Sequence, residues 1–210
     1  EQLNLVTVGM PGSGKSSITK QVAYALKRKF IDIDRAIAKD VGRPINSIIN
    51  RDGIEAFRGL EYDKIREICS GNYLAVATGG GAILNEANRE LIRENSVVIY
   101  IDRPAKFLAT KNRPVSQKRG VHVLYKERGQ IYRDVADVRV RNRYKFGAAK
   151  QPDGKSRQTI DKQRMKPEQS QYMRDIKRFA RSIAKKYKQY IHEIVERDMR
   201  GISGQAERDR

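Results

Sequence analysis

The sequence predicts an α/β protein of three layers, α/β/α, with a five-stranded parallel sheet between two layers of helices. Short apolar segments recur along the chain, and residues 3–8 and 73–78 each run directly into glycines, as buried parallel strands do. Segments with apolar residues at helical spacing separate the strands, so crossover helices should cover both faces of the sheet. A length of 210 residues accommodates one such domain with an appendage.

The residue pattern assigns each element in chain order. After the first strand, Ile18, Val22 and Leu26 recur at helical spacing and predict a helix over residues 17–29. Residues 30–34, FIDID, predict the second strand. The remaining predicted elements are helices over 34–41 and over 44–68, the latter split at Asp52 and Gly53; strands over 73–78, 97–102 and 137–141; a helix over 85–93; a helical turn over 105–111; and a helix over 124–136 broken at Gly129.

The segment GMPGSGKS, residues 9–16, lies between the first strand and the first helix. It fits the pattern G-x-x-x-x-G-K-[ST], in which glycines let backbone N–H groups face phosphate oxygens and the helix N-terminus adds its positive end. Lys15 reaches the outer phosphates and Ser16 ligates Mg²⁺ in such a motif. The candidate nucleotide-binding residues are Gly12, Ser13, Gly14, Lys15, Ser16 and Ser17.

Two aspartates, Asp32 and Asp34, lie two positions apart in the second predicted strand, so strand alternation places them on one face. Like charges repel there unless cationic or hydrogen-bonding partners require both. The strand that ends at the glycine triplet, residues 79–81, has no aspartate where a magnesium-side acid is expected. Asp32 is therefore the candidate Mg²⁺ acid beside Ser16, and the triplet is a candidate ligand contact at a strand's carboxyl end.

Charge and composition restrict the function classes. The chain has 44 Lys and Arg against 25 Asp and Glu, a formal net charge of +19, which favours anionic partners. A lone Cys69 excludes an internal disulfide framework, and no apolar run is long enough to predict a membrane span. A cytoplasmic protein without membrane association is expected; the start at Glu1 rather than Met leaves a removed plastid-type transit peptide open.

The character of the chain changes after residue 141, since residues 141–210 hold 20 of the 44 Lys and Arg but only 9 of the 25 Asp and Glu. The predicted organisation is a core over 1–141, a flexible basic linker over 142–167, an amphipathic helix over 168–200 and a disordered tail over 201–210. We expect the helix to pack its apolar seam on the sheet; a coiled-coil partner or a basic arm is the alternative. The seam consists of Met173, Ile176, Ala180, Ile183, Tyr187, Tyr190 and Ile194.

Taken in order, these features resemble the shikimate kinase family. The resemblance covers about residues 3–141 and rests on the phosphate loop, the aspartate pair, DGIEAFRGLE with Arg58, TGGGAI, Arg113–Pro114, and ERGQIYRDVADVRV with Arg133. It implies a P-loop fold like that of the nucleoside monophosphate kinases. It also implies a substrate-binding segment near residues 34–61 and a lid near residues 109–122.

The resemblance further implies residue roles. Arg58 and Arg133 would bind the shikimate carboxylate through charge-assisted bonds, and Asp34 would orient the hydroxyls and accept the proton of the attacking one. Arg113 on the lid would contact ATP and neutralise the transferred phosphoryl group. The catalytic residues expected are Lys15, Asp34 and Arg113; the substrate contacts are Asp34, Arg58, Gly79, Gly80, Gly81 and Arg133; and the cofactors are ATP and Mg²⁺.

Plainer roles exist for some of these side chains. Taken alone, Asp34 could cap the helix that follows it, and Arg58 and Arg133 could be solvated surface charges. It is their joint order along the chain that favours a binding site.

The expected function is ATP-dependent phosphorylation of the 3-hydroxyl of shikimate by a monomer, giving shikimate 3-phosphate and ADP in the chorismate pathway. A related P-loop kinase acting on another hydroxy acid, such as gluconate, is the first alternative. A protein whose basic tail binds nucleic acid weakly and without reading its sequence is the second, from another class.

Overall fold

A five-stranded parallel sheet organises the chain. The computed structural model describes residues 3–108, 120–143 and 167–206, with the side chains of the last range described for 174–197 and 200. The strands are β1 (Asn4–Val8), β2 (Lys29–Asp32), β3 (Leu74–Ala77), β4 (Ser96–Asp102) and β5 (Val138–Arg141). The helices are α1 (Lys15–Leu26), α2 (Ile33–Val41), α3 (Ile45–Cys69), α4 (Glu86–Glu94), α5 (Val121–Val135) and α6 (Pro167–Ala206), with 3₁₀ turns at Ala82–Leu84 and Ala105–Phe107.

The strand order is β2-β3-β1-β4-β5, and every pairing is parallel. Central β1 pairs Val6 with Val76 of β3 on one side and with Val98 of β4 on the other. All residues of β1 and β4 are buried, which explains why these strands are mostly apolar instead of alternating with polar residues. Because the carboxyl ends of parallel strands share one edge, the phosphate loop, the glycine triplet and the start of α2 all lie at that edge.

Each face of the sheet has its own apolar core, which confirms the predicted three layers. Side chains from α2, α3, α4 and α5 form the core on one face, around Ile37, Phe57 and Tyr132. The other core lies beneath α1 and α6 and includes Ile18 and Ile183. The sheet is thus covered on both sides by helices, as right-handed crossovers require.

The seam of α6 packs on this second core, as expected, beside α1 and β5. Ile176, Ala180, Ile183 and Tyr187 are buried. The Tyr187 hydroxyl donates to the carbonyl oxygen of Leu3 at 2.9 Å and lies 2.7 Å from Nη2 of Arg28. Because these apolar side chains are already buried, the coiled-coil alternative is not needed to explain the seam.

The predicted placement of the aspartate pair is wrong. Strand β2 ends at Asp32, and Asp34 lies in the first turn of α2, so the two carboxylates do not share a strand face. Asp32 is the N-cap of α2, with Oδ1 accepting a hydrogen bond from the Arg35 N–H at 3.2 Å. Aspartate is favoured at this position because it satisfies an N–H that has no partner within the helix. The capping role that we considered for Asp34 therefore belongs to Asp32.

Three helix predictions have different outcomes. Gly53 has φ 90° and ψ 164° inside α3, which confirms the predicted split of that helix. The predicted break at Gly129 is wrong: α5 runs through it, since an interior glycine costs only about 1 kcal/mol relative to alanine. Helix α6 continues to Ala206, so residues 201–206 are helical and not a disordered tail; no proline after Pro167 interrupts its backbone hydrogen bonds.

Several predictions lie outside the described residues, namely most of the lid at 109–122, most of the linker at 142–167 and residues 207–210 of the tail. Across the ranges that are described, no helix has the length and apolar character needed to cross a membrane.

Candidate active site

The loop between β1 and α1 has backbone geometry that requires glycine. Gly12 and Gly14 have φ angles of 82° and 92°, in the left-handed region where glycine is favoured. A Cβ on Gly9 would lie 2.7 Å from the carbonyl oxygen of Ile101, so the loop packs directly against the end of β4. The loop leads into the first turn of α1, where Ser16 and Ser17 are half-buried. The N–H groups and positive dipole end of this turn suit a phosphate.

Lys15 lies across this loop and is buried. Its Nζ donates to the carbonyl oxygens of Gly9 at 2.7 Å and Met10 at 3.0 Å. On the α1 side, Nδ2 of buried Asn142 donates to the carbonyl oxygen of Ser13 at 2.9 Å. The chain after β5 thereby supports the phosphate loop, and the ammonium of Lys15 is already beside the positions where phosphate oxygens bind in this motif.

The glycine triplet brings acidic and basic side chains together. A Cβ on Gly79 would lie 2.5 Å from Oε1 of Glu61 and 2.9 Å from Oδ1 of Asp34. A Cβ on Gly81 would overlap the guanidinium of Arg58. The absence of side chains on the triplet therefore lets Asp34 from α2 and both charged groups from α3 approach the backbone directly.

Glu61 is fully buried and pairs with Arg58 one helical turn earlier. Burial raises the pKa of Glu61, the guanidinium of Arg58 opposes this, and the carboxylate of Asp34 raises the pKa further. The side chain of Arg58 is 22% exposed, so one part of it is held by Glu61 while another part faces solvent. Glu61 thus orients a cation that remains accessible to an anionic ligand.

Helix α5 adds a second arginine, Arg128, to this cluster, and this one is buried. Nη1 of Arg128 donates to the carbonyl oxygen of Gly80 at 2.9 Å, and the Tyr132 hydroxyl donates to the same oxygen at 2.5 Å. The positive charge of Arg128 also acts on Glu61, where it lowers the carboxyl pKa. Two cations, Arg58 and Arg128, therefore flank the glycine triplet.

Comparison with known proteins identifies the family of this chain. The family model described as shikimate kinase matches residues 11–151. The chain belongs to the shikimate kinase family. A shikimate kinase of Nitrosomonas europaea is 36% identical over 144 residues, which cover 64% of this chain and 68% of that protein. A shikimate kinase of Pelotomaculum thermopropionicum is 35% identical over 146 residues, or 65% of this chain and 84% of that protein.

Solved structures agree with the family and the fold. The structure of shikimate kinase from Acinetobacter baumannii in complex with shikimate superposes with a TM-score of 0.67 and 27% identity, covering 91% of this chain and 93% of that one. Shikimate kinase from Aquifex aeolicus gives a TM-score of 0.59 at 26% identity, covering 68% and 87%. The predicted P-loop fold of the nucleoside-monophosphate-kinase type is thereby confirmed.

Within this member of the shikimate kinase family, Arg133 does not lie with the charged cluster. It is exposed, and its Nη2 donates to Oε1 of Gln130 at 2.7 Å. The reason is helical phase: Arg128 and Tyr132, four residues apart, share the face of α5 that meets Gly80, and the next residue is rotated by about 100°. Of the two arginines on α5, Arg128 and not Arg133 lies beside the glycine triplet.

Sequence reasoning missed Glu61, Arg128 and Tyr132. All three stand inside the segments that carried the resemblance, DGIEAFRGLE and ERGQIYRDVA. The spacing of Arg58 and Glu61, three apart on a helix, was a usable signal for their ion pair. The helical phase of α5 distinguishes Arg128 from Arg133 only if the helix is continuous, and the predicted break at Gly129 removed that signal. Arg113 lies outside the described residues, so its role stays a prediction.

Proposed function

We propose that this chain transfers the γ-phosphoryl group of ATP to the 3-hydroxyl of shikimate, giving shikimate 3-phosphate and ADP. One observation carries the proposal: the glycine triplet contacts the phosphate loop and the charged cluster at once. A Cβ on Gly80 would lie 2.5 Å from Cγ of Pro11, while its neighbours border Asp34, Glu61 and Arg58. A nucleotide on the loop and an acid on the cluster would therefore be adjacent, as direct transfer requires.

The acceptor site suits a carboxylate that carries several hydroxyls. Arg58 and Arg128 supply charge-assisted donors for the carboxylate, and Glu61 keeps Arg58 in place. Asp34 is half-buried beside Gly79, where its carboxylate can accept a proton from a ring hydroxyl. In the transfer, the hydroxyl oxygen bonds to the γ-phosphorus, the bond from that phosphorus to ADP breaks, and the hydroxyl proton passes to Asp34.

Residues at the strand edge fit Mg²⁺, the metal that we propose for this reaction. Ser16 lies in the first turn of α1 and Asp32 ends β2, so both present oxygen donors near the same edge of the sheet. Among the described residues, no group of three or more His, Cys, Asp or Glu could hold a metal ion by itself. This fits Mg²⁺, which keeps several waters and binds phosphates with few protein ligands. When bound, it neutralises charge on the phosphates.

The decisive experiment measures ADP release with ATP and Mg²⁺ across a panel of hydroxy acids. We expect shikimate to stimulate release strongly and gluconate to give little, because two arginines and Asp34 surround a compact acid site. Lys15→Met, which removes the ammonium from the phosphate loop, should lower kcat by about 100-fold or more. Equal stimulation by gluconate, or none by shikimate, would contradict the proposed acceptor.

One further activity is favoured by a specific observation on α6. Arg178, Arg181, Lys185 and Lys188 recur at spacings of three and four, so they form one stripe about 15 Å long. All four are exposed, and none forms an ion pair within the described ranges. We propose that this stripe binds the phosphate backbone of nucleic acid weakly and without reading sequence. The apolar seam of the helix is buried, so insertion of α6 into a membrane is disfavoured.

The stripe is tested with a fluorescent single-stranded RNA and a DNA duplex at several salt concentrations. Replacing Arg178, Arg181 and Lys185 with Gln should weaken binding and reduce the magnitude of the salt slope by about 2. The matched control replaces the exposed Lys29, Lys39 and Lys126, which are outside the stripe, and removes the same charge. Equal losses in both triple variants would mean that net charge, and not the stripe, attracts the polyanion.

A further inference from the structure

The carbonyl oxygen of Gly80 accepts two hydrogen bonds from one helix. The donors are the Tyr132 hydroxyl at 2.5 Å and Nη1 of Arg128 at 2.9 Å, and both residues are buried in α5. Burial raises the pKa of Tyr132, so its hydroxyl stays protonated and available to donate. A single backbone oxygen in the glycine triplet is therefore held by two buried donors.

The ring of Tyr132 is itself held in place. It stacks on Tyr100 of β4, with ring centroids 5.2 Å apart and planes 17° apart. Tyr100 in turn lies 3.2 Å through its hydroxyl from Oδ1 of Asp102. The ring of Tyr132 is fixed against the sheet. Its hydroxyl is therefore already directed at the Gly80 carbonyl, and little side-chain entropy is lost in making that hydrogen bond.

Gly80 is also in contact with the nucleotide side of the site. A Cβ on Gly80 would lie 2.5 Å from Cγ and 2.6 Å from Cδ of Pro11, so any side chain would collide with the phosphate loop. The Gly80 backbone thus packs between the loop and α5. The Gly80 peptide therefore joins the phosphate loop to the charged cluster of Asp34, Arg58 and Glu61.

The geometry of the next peptide bond connects this contact to the acceptor. The peptide between Gly80 and Gly81 is trans, so the Gly80 carbonyl and the Gly81 N–H point in opposite directions. With the carbonyl held by α5, the Gly81 N–H is directed away from α5. It makes no hydrogen bond to a residue in the described ranges, and Gly81 lies against the guanidinium of Arg58. The Gly81 N–H is therefore oriented, before the acceptor binds, to donate a hydrogen bond to one of its oxygens.

We propose that Tyr132 is a positioning residue for the acceptor and acts through the peptide between Gly80 and Gly81. Its hydroxyl sets the direction of the Gly81 N–H while its ring keeps α5 packed on β4. Tyr132 needs no contact with the substrate for this role. The inference rests on the proposed function, because the acceptor is taken to be shikimate.

Tyr132→Phe tests the role, since it removes the hydroxyl and keeps the stacked ring. We expect the KM for shikimate to rise about tenfold, because an acceptor hydrogen bond loses its fixed geometry. The KM for ATP should stay within twofold, because the phosphate loop retains its own contacts with Lys15 and Asn142. A merely structural loss would change both KM values together.

Tyr125→Phe is the matched control. Tyr125 lies on the same helix, and its hydroxyl also loses one hydrogen bond, to Oδ1 of Asp102 at 2.9 Å, without touching Gly80. We expect a similar decrease in melting temperature for both variants and an unchanged KM for shikimate in Tyr125→Phe only. If the two variants have the same KM for shikimate, or if Tyr132→Phe raises both KM values equally, the proposal is overturned.

A spectroscopic measurement separates this inference from the proposed function. The ¹⁵N amide resonance of Gly81 should shift in Tyr132→Phe and stay near its wild-type position in Tyr125→Phe, whether or not the chain turns over shikimate. A wild-type protein inactive with shikimate would remove the proposed function alone. An unchanged Gly81 resonance in Tyr132→Phe would remove the positioning role alone.

Discussion

Two buried carboxylates, Glu61 and Asp102, each pair with an arginine but differ in how completely they are hydrogen-bonded. Both Asp102 oxygens have partners: Tyr100 and Tyr125 at Oδ1, and Arg139 at Oδ2 at 2.7 Å. Glu61 binds Arg58 through Oε2, while its Oε1 has no hydrogen-bond partner in the described part of the chain. Both oxygens of Asp102 thus accept hydrogen bonds, whereas only one oxygen of Glu61 does.

The pKa values follow this difference. Burial raises the pKa of both groups, but at Asp102 the hydrogen bonds from Arg139, Tyr125 and Tyr100 outweigh burial and hold the pKa below its ordinary value. At Glu61 burial prevails over Arg58, and the pKa is raised. We conclude that the Asp102 cluster joins β4, β5 and α5 as scaffold. Burial of Glu61 carries an electrostatic cost, and its partner Arg58 remains partly exposed.

The largest expected effect comes from breaking each ion pair at its arginine. Arg58→Ala should lower kcat/KM for shikimate by about 100-fold and destabilise the fold by about 3 kcal/mol, since it leaves Glu61 charged and buried without its partner. Arg139→Ala should cost only about 1 kcal/mol, because Arg139 is half exposed and two tyrosines still donate to Asp102. Steady-state kinetics and urea unfolding measure both. Similar kinetic losses in the two variants would contradict the division into site and scaffold.

A second comparison tests which arginine of α5 serves the acceptor. Arg128→Ala should lower kcat/KM for shikimate by about 50-fold, since a buried guanidinium beside Gly80 is lost. Arg133→Ala should leave kcat/KM within twofold, because its side chain is exposed and bonds only to Gln130 among the described residues. The measurement is initial rate against shikimate concentration at saturating ATP. The reverse order of effects would restore Arg133 as the carboxylate contact.

The smallest effects are the pH dependences of stability, which should have opposite signs. Glu61 has a raised pKa when folded, so its ionisation opposes folding, and wild type should lose stability relative to Glu61→Gln as pH rises above about 4.5. Asp102 has a lowered pKa, so its contribution is present above about pH 4 and is lost as pH falls toward the folded pKa. Unfolding free energies of wild type, Glu61→Gln and Asp102→Asn across pH 3 to 7 measure both slopes. Parallel slopes would show that the carboxylates do not differ as described.

Sequence patterns located the phosphate loop well because its glycines, Lys15 and Ser16 are contiguous and their geometry is local. They were less accurate at the end of β2, where one residue decides between strand and helix. An aspartate at this position is compatible either with a continuing strand or with the N-cap of a helix. In the structure Asp32 is the N-cap, and its carboxylate accepts a hydrogen bond from the Arg35 N–H. The C-terminal helix was predicted from its seam, since three-and-four spacing of apolar residues persists over many turns.

The sequence by itself determined the alternation of strands and helices, the phosphate loop, and the glycine triplet at the carboxyl end of a strand, whereas Asp34 and Arg58 were assigned to the site only by the family resemblance. These depend on short-range patterns and on the rule that parallel strands share a carboxyl edge. Only the tertiary structure decided that Arg128 and not Arg133 reaches Gly80, that Glu61 is buried against Arg58, and that Asp102 is saturated. Each of these depends on which face of a helix packs inward, and that is set by contacts between residues far apart in the chain.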